Sequence, residues 1–319
     1  MLLFSAIALA STPIEPDTVV AFLGDQGLTD NSRRVLGLVK DAGAHIVLHA
    51  GDLDYVGMPD EWAAMITEEL GADFPYLIVI GNHDVEGWDQ YAAHQEARLE
   101  RTPGVQCEGT TGVKEVCTFR GLEVLVSAVG VRKVGNKEEH AAFLQEKVAA
   151  STHDWTVCMW HKNQAIMQTG GKRDETGWGV YEACREGGAL IHTGHEHAYS
   201  RTHLMTGFSD EPTFEEGPLL VQPGKTVAWV SGLAGVGVRE QKRDADHWAS
   251  VWTKTQGAAP GVLLCTFAPE GRQDTATCVF RDVKGAEPDS FELQLVSDAE
   301  QQVEGQEQGG GQDDPEGAR

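Results

Sequence analysis

Three short apolar runs near the start of the chain, each followed by glycine and then Asp or Asn, constrain the fold most strongly. They span residues 19–23, 45–50 and 75–80, and they lead into Gly24-Asp25, Gly51-Asp52 and Gly81-Asn82. Continuous apolar runs of this length are typical of buried strands. A helical pattern that Asp30 or Ser32 could cap separates the first two runs, and another over residues 59–70 separates the next two. The alternation predicts a βαβαβ unit and an α/β fold, with functional side chains outside the carboxyl ends of the strands.

Two later apolar runs lead into histidine. Residues 155–160 precede His161, and residues 189–192 precede Gly194-His195-Glu196-His197. Successive residues of a strand point to opposite faces, but a strand end that runs into a turn can direct both imidazoles into one cavity. We therefore expect all five strand ends to converge on one metal centre.

The remaining elements are predicted from the same local patterns. Helices are expected over residues 88–100, 138–150 and 180–185, a loop or hairpin over residues 103–118, and a hairpin around Arg120-Gly121. After Arg201 the pattern indicates strands without clear helices between them, over residues 219–221, 226–230, 262–267, 276–281 and 291–295. We expect residues 202–297 to form a mainly β second sheet and not a separate enzyme.

The charge of the chain limits its partners. The 319 residues include 49 acidic and 25 basic side chains, for a formal net charge of −24. Such a charge argues against binding nucleic acid through phosphate neutralisation and fits a soluble, self-repelling protein. A hydrophobic content of 41% is enough for a substantial core. No later stretch has the roughly 18 apolar residues that a spanning helix needs, so no stable membrane span is expected.

The two ends of the chain differ from its middle. Residues 1–11 are an apolar stretch ending in Ala8-Leu9-Ala10, which resembles the core and cleavage site of a secretory signal without the usual positive residues. We expect residues 1–18 to be a signal peptide and leader, and the protein to be secreted, periplasmic or at the cell surface. The alternative is a flexible apolar end or a first strand. Residues 19–297 are expected to form one domain, and residues 298–319 a disordered acidic tail rich in Gln and Gly.

The six cysteines do not form the CxxC pairs of a zinc site. Their even number and the close pairs Cys107/Cys117 and Cys265/Cys278 suit local disulfides in an exported protein. Cys158 lies inside an apolar strand, where a buried free thiol is at least as consistent with the sequence as a bridge to Cys184.

The strand-end side chains form a set of oxygen and nitrogen ligands: Asp25, Asp52, Asn82, His161, His195 and His197. Each alone has an ordinary structural explanation, because Asp25 could cap a turn, Asn82 could be a left-handed turn residue and His161 a core histidine. Jointly, each at a strand end, they indicate a metal site. Hard or borderline metal ions take such mixed ligands, and two ions need about this many groups with Asp52 shared. Two metal ions suit displacement at phosphorus.

The ordered motifs resemble those of the calcineurin-like metallophosphoesterase superfamily and, more narrowly, those of purple acid phosphatases. That pattern is Gly-Asp-x-Gly, Gly-Asp-x-x-Tyr, Gly-Asn-His-Asp/Glu, a lone His after an apolar strand, and Gly-His-x-His. The chain matches it at Gly24-Asp25-Gln26-Gly27, Gly51-Asp52-Leu53-Asp54-Tyr55, Gly81-Asn82-His83-Asp84, His161 and Gly194-His195-Glu196-His197. The match covers residues 19–201, and residues 262–293 are similar to the family's closing β segment. The resemblance implies a four-layer α/β/β/α sandwich of two mixed sheets.

The resemblance also implies how the ligands divide between two metal ions. Fe(III) would be bound by Asp25, Tyr55, His197 and the bridging Asp52, and a divalent ion (Fe, Zn or Mn) by Asn82, His161, His195 and Asp52. Tyr55 is the discriminating residue, because a phenolate favours Fe(III) and produces a charge-transfer colour. The alternative for Tyr55 is an aromatic wall of the pocket. Glu196 is expected to point away from both ions.

His83 is not expected to bind metal. In the resemblance it lies near the leaving group as a general acid or phosphate donor, and Asp84 orients its other nitrogen. These two residues are the predicted catalytic pair.

The chain departs from the family pattern after His161. Lys162-Asn163 replaces the usual proline-containing turn, and no histidine occurs between Lys162 and Ala189, where the family often has a substrate-binding one. Three other side chains in this loop are candidates to bind phosphate: Gln164, Lys172 and Arg173. The alternative for each is a solvated loop residue.

These observations predict an exported phosphoesterase with two metal ions. A metal-bound hydroxide would attack phosphorus in line, and the substrate would be a small phosphate ester, preferably a phosphomonoester. A phosphodiesterase or nucleotidase of the same superfamily is the first alternative. A non-catalytic surface binding protein that retains the metal site is the second.

Overall fold

A computed structural model of the protein describes residues 11–131 and 134–296. Residues 1–10 of the predicted leader and the whole predicted tail, residues 298–319, lie outside the described residues. The helices of the described part are α1 (Asp30–Asp41), α2 (Pro59–Leu70), α3 (Trp88–Leu99), α4 (Lys137–Ala150) and α5 (Gly179–Glu186). None of the helices in these two ranges is both long and apolar enough to cross a membrane.

The strands fall into two groups along the chain. The first group is β1 (Thr18–Leu23), β2 (Ile46–His49), β3 (Tyr76–Ile78), β4 (Val105–Thr110), β5 (Lys114–Phe119), β6 (Leu122–Ser127), β7 (Trp155–Trp160) and β8 (Leu190–Thr193). The second is β9 (Tyr199–Thr202), β10 (Leu204–Gly207), β11 (Thr213–Glu215), β12 (Leu219–Val221), β13 (Ala228–Ser231), β14 (Trp248–Trp252), β15 (Gly261–Phe267), β16 (Thr275–Asp282) and β17 (Asp289–Leu295). Short 3-10 turns lie at Lys254–Gln256 and Pro269–Gly271.

Most strands belong to two large mixed sheets. The first sheet has the order β12-β17-β16-β15-β1-β2-β3, and the second has the order β14-β9-β13-β8-β7-β6-β5-β4. Strands β1, β2 and β3 are parallel, as are β6, β7 and β8, whereas β15 is antiparallel to β1. The carboxyl ends of β1, β2 and β3 therefore lie at one edge of the first sheet, and those of β7 and β8 at one edge of the second.

Three apolar cores separate four layers, which confirms the α/β/β/α sandwich. Because side chains alternate along a strand, Phe22 of β1 packs between the sheets while Leu23 packs against the helices α1 to α3. In the second sheet, Trp155 of β7 lies in the inter-sheet core and Trp160 in the core under α4 and α5. The central strands β1, β6 and β7 are covered on both faces, so they are mainly apolar runs in the sequence.

The assignment of residues 202–297 to a second sheet is wrong. Strands β12, β15, β16 and β17 extend the first sheet, whereas β9, β13 and β14 extend the second. The reason is that β1 and β8 each have an edge that earlier strands leave open, and β15 and β13 pair with those edges. The local pattern of a strand predicts its existence but carries no information about which open edge it joins.

The other local predictions agree with the structure to within a few residues at element ends. The segment over residues 103–118 is the hairpin of β4 and β5, one of its two predicted forms, and β5 and β6 pair around Arg120-Gly121. Helix α1 is capped by Thr29 and not by Asp30 or Ser32; Ser32 completes the capping box from the third helical position. Strands β9, β10, β11 and β14 were not predicted.

All six cysteines form disulfides: Cys107–Cys117, Cys158–Cys184 and Cys265–Cys278. The two local pairs are confirmed. The free thiol predicted as an alternative for Cys158 is wrong, because α5 packs on β7 and brings the Cα atoms of Cys158 and Cys184 to 6.4 Å.

A buried histidine joins the two sheets close to the site. The Nε2–H of His192 on β8 donates to the carbonyl oxygen of Leu23, the last residue of β1, at 3.2 Å. The same N–H donates to the carbonyl oxygen of Leu48 in β2 at 3.1 Å. Burial lowers the pKa of His192 to about 4. The histidine that makes the cross-sheet contact is therefore a neutral imidazole at neutral pH.

The buried His192 predicts a specific dependence of stability on pH. Between its ordinary pKa of 6.5 and its folded-state pKa of about 4, the unfolded chain binds a proton at this residue that the folded chain does not. The free energy of unfolding should therefore decrease as the pH falls through that window, and His192→Gln should reduce the decrease by about 3 kcal/mol at most. Urea denaturation of metal-free protein at a series of pH values measures this, and parallel pH curves for variant and wild type would contradict it.

Candidate metal centre

The five predicted strand ends meet at one edge of the inter-sheet space. Two glycines allow the close approach: a Cβ at Gly81 would overlap the backbone of Asp52, and one at Gly194 would lie 2.9 Å from Asp25 Oδ2. The backbone N–H of His195 donates to that same Asp25 oxygen at 2.7 Å. The loop after β8 is therefore held directly against the loop after β1.

Much of the backbone that carries the predicted ligands is in the left-handed region. Positive φ values occur at Asp25 (59°), Asp52 (56°), Tyr55 (67°) and His195 (69°). Such conformations cost free energy in non-glycine residues and concentrate at functional sites, where the surrounding structure fixes them. Asn82, for which a left-handed turn was the alternative, is not among the described residues with positive φ.

One group of predicted ligands consists of Asp25, Tyr55 and His197. The Tyr55 hydroxyl donates to Asp25 Oδ1 (2.8 Å) and lies 3.0 Å from His197 Nε2. His197 Nε2 is 3.5 Å from Asp25 Oδ1. Asp54 holds the Tyr55 loop in place by accepting hydrogen bonds from the N–H groups of three following residues. The phenol oxygen thus lies among the predicted ligand atoms.

A second group consists of Asp52, His161 and His195. His161 Nε2 is 3.2 Å from Asp52 Oδ2 and 3.1 Å from His195 Nδ1, and one ligand atom from each residue lies within 4.8 Å of the others. Asn82 Oδ1, the fourth predicted ligand atom of this group, is buried and has no hydrogen-bond partner among the described residues. A buried carbonyl oxygen without a donor costs free energy unless a cation or water satisfies it. This donor set therefore fits a metal ion.

The protonation of the imidazoles also suits metal binding. Burial lowers the pKa of His195 to about 4 and also lowers the pKa of His197, so both rings are neutral at neutral pH. For His161, burial acts in the same direction, but the charge of Asp52, the hydrogen bond to Asp52 and the charge of Asp25 together outweigh burial and raise the pKa. A neutral ring offers a lone pair, and a cation would replace the proton shared by Asp52 and His161.

Each predicted histidine ligand has its other ring nitrogen bound by an acceptor. His161 Nδ1 donates to the Ala50 carbonyl (2.7 Å), and His197 Nδ1 donates to the Gly237 carbonyl (2.9 Å). His195 Nε2 lies 2.8 Å from Glu175 Oε2. Such contacts fix the ring orientation and tautomer of metal-binding histidines.

Glu175 is a site residue that the sequence reasoning missed. Its second oxygen, Oε1, pairs with Lys162 Nζ at 2.5 Å, so the carboxylate bridges Lys162 and His195. Burial would raise the pKa of Glu175, but these two partners lower it to about 2. The residue belongs to a loop with several charged side chains, and nothing local distinguishes it from its neighbours.

The predicted contact between Asp84 and His83 is wrong. The Asp84 carboxylate is buried and accepts hydrogen bonds from the N–H groups of Gly81 (2.7 Å), Asp52 (2.9 Å) and Leu53 (2.8 Å). The exposed His83 imidazole instead lies against the Tyr55 ring, with centroids 4.6 Å apart. The backbone N–H of His83 donates to Asp52 Oδ1 at 2.9 Å. Asp84 therefore positions the Asp52 loop, and His83 faces the site entrance.

The three candidates for phosphate binding, Gln164, Lys172 and Arg173, lie in different environments. Lys172 Nζ donates to the His195 carbonyl, so this lysine lies beside the site. Gln164 is buried and its Oε1 accepts from the Ile166 N–H, and Arg173 is exposed. Glu196, expected to point away from the metals, has Oε2 at 3.7 Å from Arg239 Nη1.

A cavity of about 670 Å³ opens beside the two ligand groups. Tyr55, Asn82, His83 and Lys162 line it together with the apolar side chain of Val85. The candidate proton donor His83, the ammonium group of Lys162 and the predicted ligand Asn82 therefore line the same cavity. A third cluster of potential ligands, Cys107, Glu115 and Cys117, is not a comparable site because its two sulfurs are joined in a disulfide.

A two-sheet sandwich with carboxylate, amide and imidazole groups at its strand ends is the architecture of a metal-dependent phosphoesterase. The sequence profile described as calcineurin-like phosphoesterase matches residues 18–199, more than half of the chain. The protein belongs to the calcineurin-like phosphoesterase family, and this membership supports phosphoester hydrolysis with bound metal. A search of curated proteins found no match.

Solved structures with the same fold differ widely in sequence. A purple acid phosphatase from yellow lupin (Lupinus luteus) seeds has a TM-score of 0.64 at 16% identity, over 89% of this chain and 55% of that one. GAP50, "the anchor in the inner membrane complex of Plasmodium", has a TM-score of 0.60 at 13% identity, over 90% and 91%. PhoD has a TM-score of 0.50 at 12% identity, over 92% of this chain and 76% of that one. At these identities the likeness shows the fold, and this chain spans just over half the length of the lupin phosphatase.

The contact between Glu175 and His195 predicts a role in metal affinity. Glu175→Gln keeps the shape but removes the charge that orients the imidazole, so we expect metal affinity to fall by about 10- to 100-fold. Calorimetric titration of metal-free protein with Zn²⁺ or Mn²⁺ measures the change. Glu287→Gln, which removes a surface carboxylate paired with Arg281, is the control and should bind like wild type. Equal affinities for all three proteins would refute the role.

Proposed function

We propose that the protein is a dinuclear metal-dependent phosphomonoesterase that acts on small phosphate esters. The observation that carries the proposal is the convergence of seven predicted ligand side chains, from loops of both sheets, on one partly open cluster. They are Asp25, Asp52, Tyr55, Asn82, His161, His195 and His197. The family supports phosphoester hydrolysis in general. The two-metal assignment and the monoester preference are our inference.

In this proposal each metal ion has its own ligand group and Asp52 is shared. Bound ions would lower the pKa of a water molecule and offset the charge that develops on the phosphoryl oxygens. Burial, together with the charges of Asp25 and Asp52, raises the pKa of the Tyr55 phenol far above its usual value. A phenolate is a hard anionic ligand that favours Fe(III), and the contact of Tyr55 with Asp25 and His197 supports iron at the Asp25 group. The second ion would be Fe, Zn or Mn.

The chain's own polar groups would act on the substrate from the 670 Å³ cavity. His83 is exposed at the cavity wall, and its backbone is fixed by the hydrogen bond to Asp52, so its imidazole is available to protonate the leaving oxygen. Lys162, held by Glu175, places a positive charge at the same wall. That charge would attract the phosphoryl group.

His83→Ala tests this division of labour. Because His83 is proposed to donate a proton and not to bind metal, we expect kcat for p-nitrophenyl phosphate to fall by about 10²- to 10⁴-fold while metal content stays unchanged. Steady-state assays across pH, with elemental analysis of the same samples, provide the two readouts. Parallel loss of metal and activity would refute the assignment.

Tyr55→Phe tests the iron site. Removing the phenol oxygen should abolish any visible charge-transfer absorption while the Phe ring preserves the contact with His83. Absorption spectra of wild type and variant, with iron quantified in each, measure this. A colourless wild-type protein that contains no iron would overturn the Fe(III) proposal and leave a two-metal site of other composition.

Steady-state assays of the wild-type protein with two nitrophenyl esters decide between a phosphomonoesterase and a phosphodiesterase. A phosphomonoesterase should hydrolyse p-nitrophenyl phosphate faster than bis(p-nitrophenyl) phosphate, and the reverse order would favour a phosphodiesterase. The relative rates on the two esters therefore decide between a phosphomonoesterase and a phosphodiesterase.

A binding protein on the same fold is a second candidate, and one observation favours it. GAP50, described as an anchor, matches this fold over 90% of this chain and 91% of its own. We propose this function only if fully metal-loaded protein fails to hydrolyse both nitrophenyl esters. Substantial hydrolysis by the metal-loaded protein would exclude it.

We also propose that the protein is exported. Three disulfides support an oxidising compartment. Recovery of the protein outside the cytoplasm with all three intact would agree, and a reduced cytoplasmic protein would not.

A further inference from the structure

Two exposed apolar side chains closely follow the predicted metal ligand Tyr55 in the chain. Among the described residues, Val56 and Met58 are the large hydrophobic side chains that are exposed, with relative exposures of 63% and 42%. Single apolar side chains at a protein surface are ordinary, but two on one loop beside a candidate site form a surface that a ligand can cover. The loop over residues 55–58 therefore offers apolar surface next to the metal centre.

The backbone of this loop is fixed by a buried carboxylate. Asp54 accepts hydrogen bonds from the backbone N–H groups of Val56 (2.9 Å), Gly57 (2.9 Å) and Met58 (2.6 Å). A buried carboxylate that lost these donors would be costly, so the loop is held in its exposed position. Because the apolar groups are positioned before a ligand binds, little conformational entropy is lost on binding.

Val56 lines the same cavity as two predicted metal ligands. The cavity of about 670 Å³ has Tyr55, Val56, Asn82, His83 and Val85 in its wall. A volume of this size is typical of sites for whole small molecules. One ligand in this cavity can therefore contact the metal centre and the apolar loop together.

The leaving group of a bound ester would lie against the apolar part of this wall. His83 is the proposed proton donor to the leaving oxygen, so the rest of the leaving group lies near its imidazole. That imidazole lies against the Tyr55 ring, with centroids 4.6 Å apart. Val85, two residues further along the chain, packs against the inter-sheet core and also lines the cavity. The wall near His83 thus includes an aromatic ring and the side chains of two valines, Val56 and Val85.

The charges in this cavity disfavour a second negative charge on the leaving group. Glu86 is on the same loop as His83, is exposed and lines the cavity. Lys162, the cationic side chain among the described lining residues, already pairs with Glu175 Oε1 at 2.5 Å, so its charge is partly offset. The Glu86 carboxylate would repel an anionic leaving group. An uncharged leaving group meets no such repulsion.

We propose that Val56, Val85 and the Tyr55 ring form a binding subsite for an uncharged, apolar leaving group. The preferred substrates are then phosphate monoesters of hydrophobic alcohols or phenols, and not sugar phosphates or bisphosphates. This inference rests on the proposed phosphoesterase function, since it places the scissile phosphate at the metal centre and the leaving oxygen at His83. It assigns the substrate preference to two valines outside the predicted ligand set.

Phosphonates, which the enzyme cannot hydrolyse, test the subsite on metal-loaded protein. Methylphosphonate and pentylphosphonate carry the same charge and differ by four methylene groups, so their affinity ratio isolates the apolar contact. We expect pentylphosphonate to bind about tenfold more tightly, because full burial contributes about fourfold for each methylene group and this cavity is partly open. In 4-carboxybutylphosphonate a carboxylate replaces the terminal methyl group, and most of the gain should be lost. Calorimetric titration gives the dissociation constants.

Threonine variants identify the side chains responsible. Val56→Thr/Val85→Thr keeps the shape of both side chains but makes them polar, and it should reduce the ratio to about threefold. Val56→Thr alone changes a side chain that is already exposed, so the core is untouched, and it should give an intermediate ratio. The control is Val251→Thr on β14, a half-buried valine that does not line this cavity and should keep the wild-type ratio.

Three results would overturn the proposal: equal affinity of wild type for methylphosphonate and pentylphosphonate, a wild-type ratio in both threonine variants, or tightest binding of the carboxylate compound. Hydrolysis of p-nitrophenyl phosphate and of its bis ester is measured on the same samples. Activity with an affinity ratio of one rejects the apolar subsite alone. A valine-dependent ratio without activity on either ester supports an apolar ligand site and rejects the phosphoesterase function.

Discussion

The site depends first on one buried carboxylate. Asp84 accepts backbone hydrogen bonds from Gly81, Asp52 and Leu53, and so holds the loop after β2 against the loop after β3. Charge-assisted hydrogen bonds of this kind offset the cost of burying the charge. Burial and the nearby charge of Asp52 nevertheless raise the pKa of Asp84 above its usual value. A cation held by Asp52 would lower it again, so metal binding and the integrity of this loop contact favour each other.

Hydrogen bonds also hold the ligand-bearing loops of the two sheets against each other. Asp25 accepts the His195 N–H, Asn163 Nδ2 donates to the Gly194 carbonyl at 2.7 Å, and His192 donates to two carbonyls of the first sheet. These contacts hold left-handed residues that would each cost about 1–3 kcal/mol in isolation. The predicted ligands are therefore positioned by backbone contacts that exist before any ion binds, which lowers the cost of assembling the site.

Sequence patterns were sufficient to place the predicted ligand residues at strand ends, because the strands that precede them have local signals. Apolar runs at residues 19–23, 45–50 and 155–160 predict strands, and parallel strands bring their carboxyl ends to one edge. The amphipathic spacing over α1 and α2 made the βαβαβ order visible as well. By contrast, Asp84 was assigned to His83, its sequence neighbour, although its oxygens bind backbone groups of two different loops. Adjacency in sequence does not establish which donors a buried carboxylate meets.

The sequence by itself determined the α/β class, the strand-end positions of Asp25, Asp52, Asn82, His161, His195 and His197, and the family, because those depend on local periodicity and short motifs. Only the tertiary structure decided that β15 joins β1 while β13 joins β8, that Cys158 bonds Cys184, and that Glu175 holds His195. It alone brought Val56 together with Val85 and Lys162 in one cavity. These contacts join residues far apart in the chain, and their partners are selected by open sheet edges and shared cavities that leave no periodic signal.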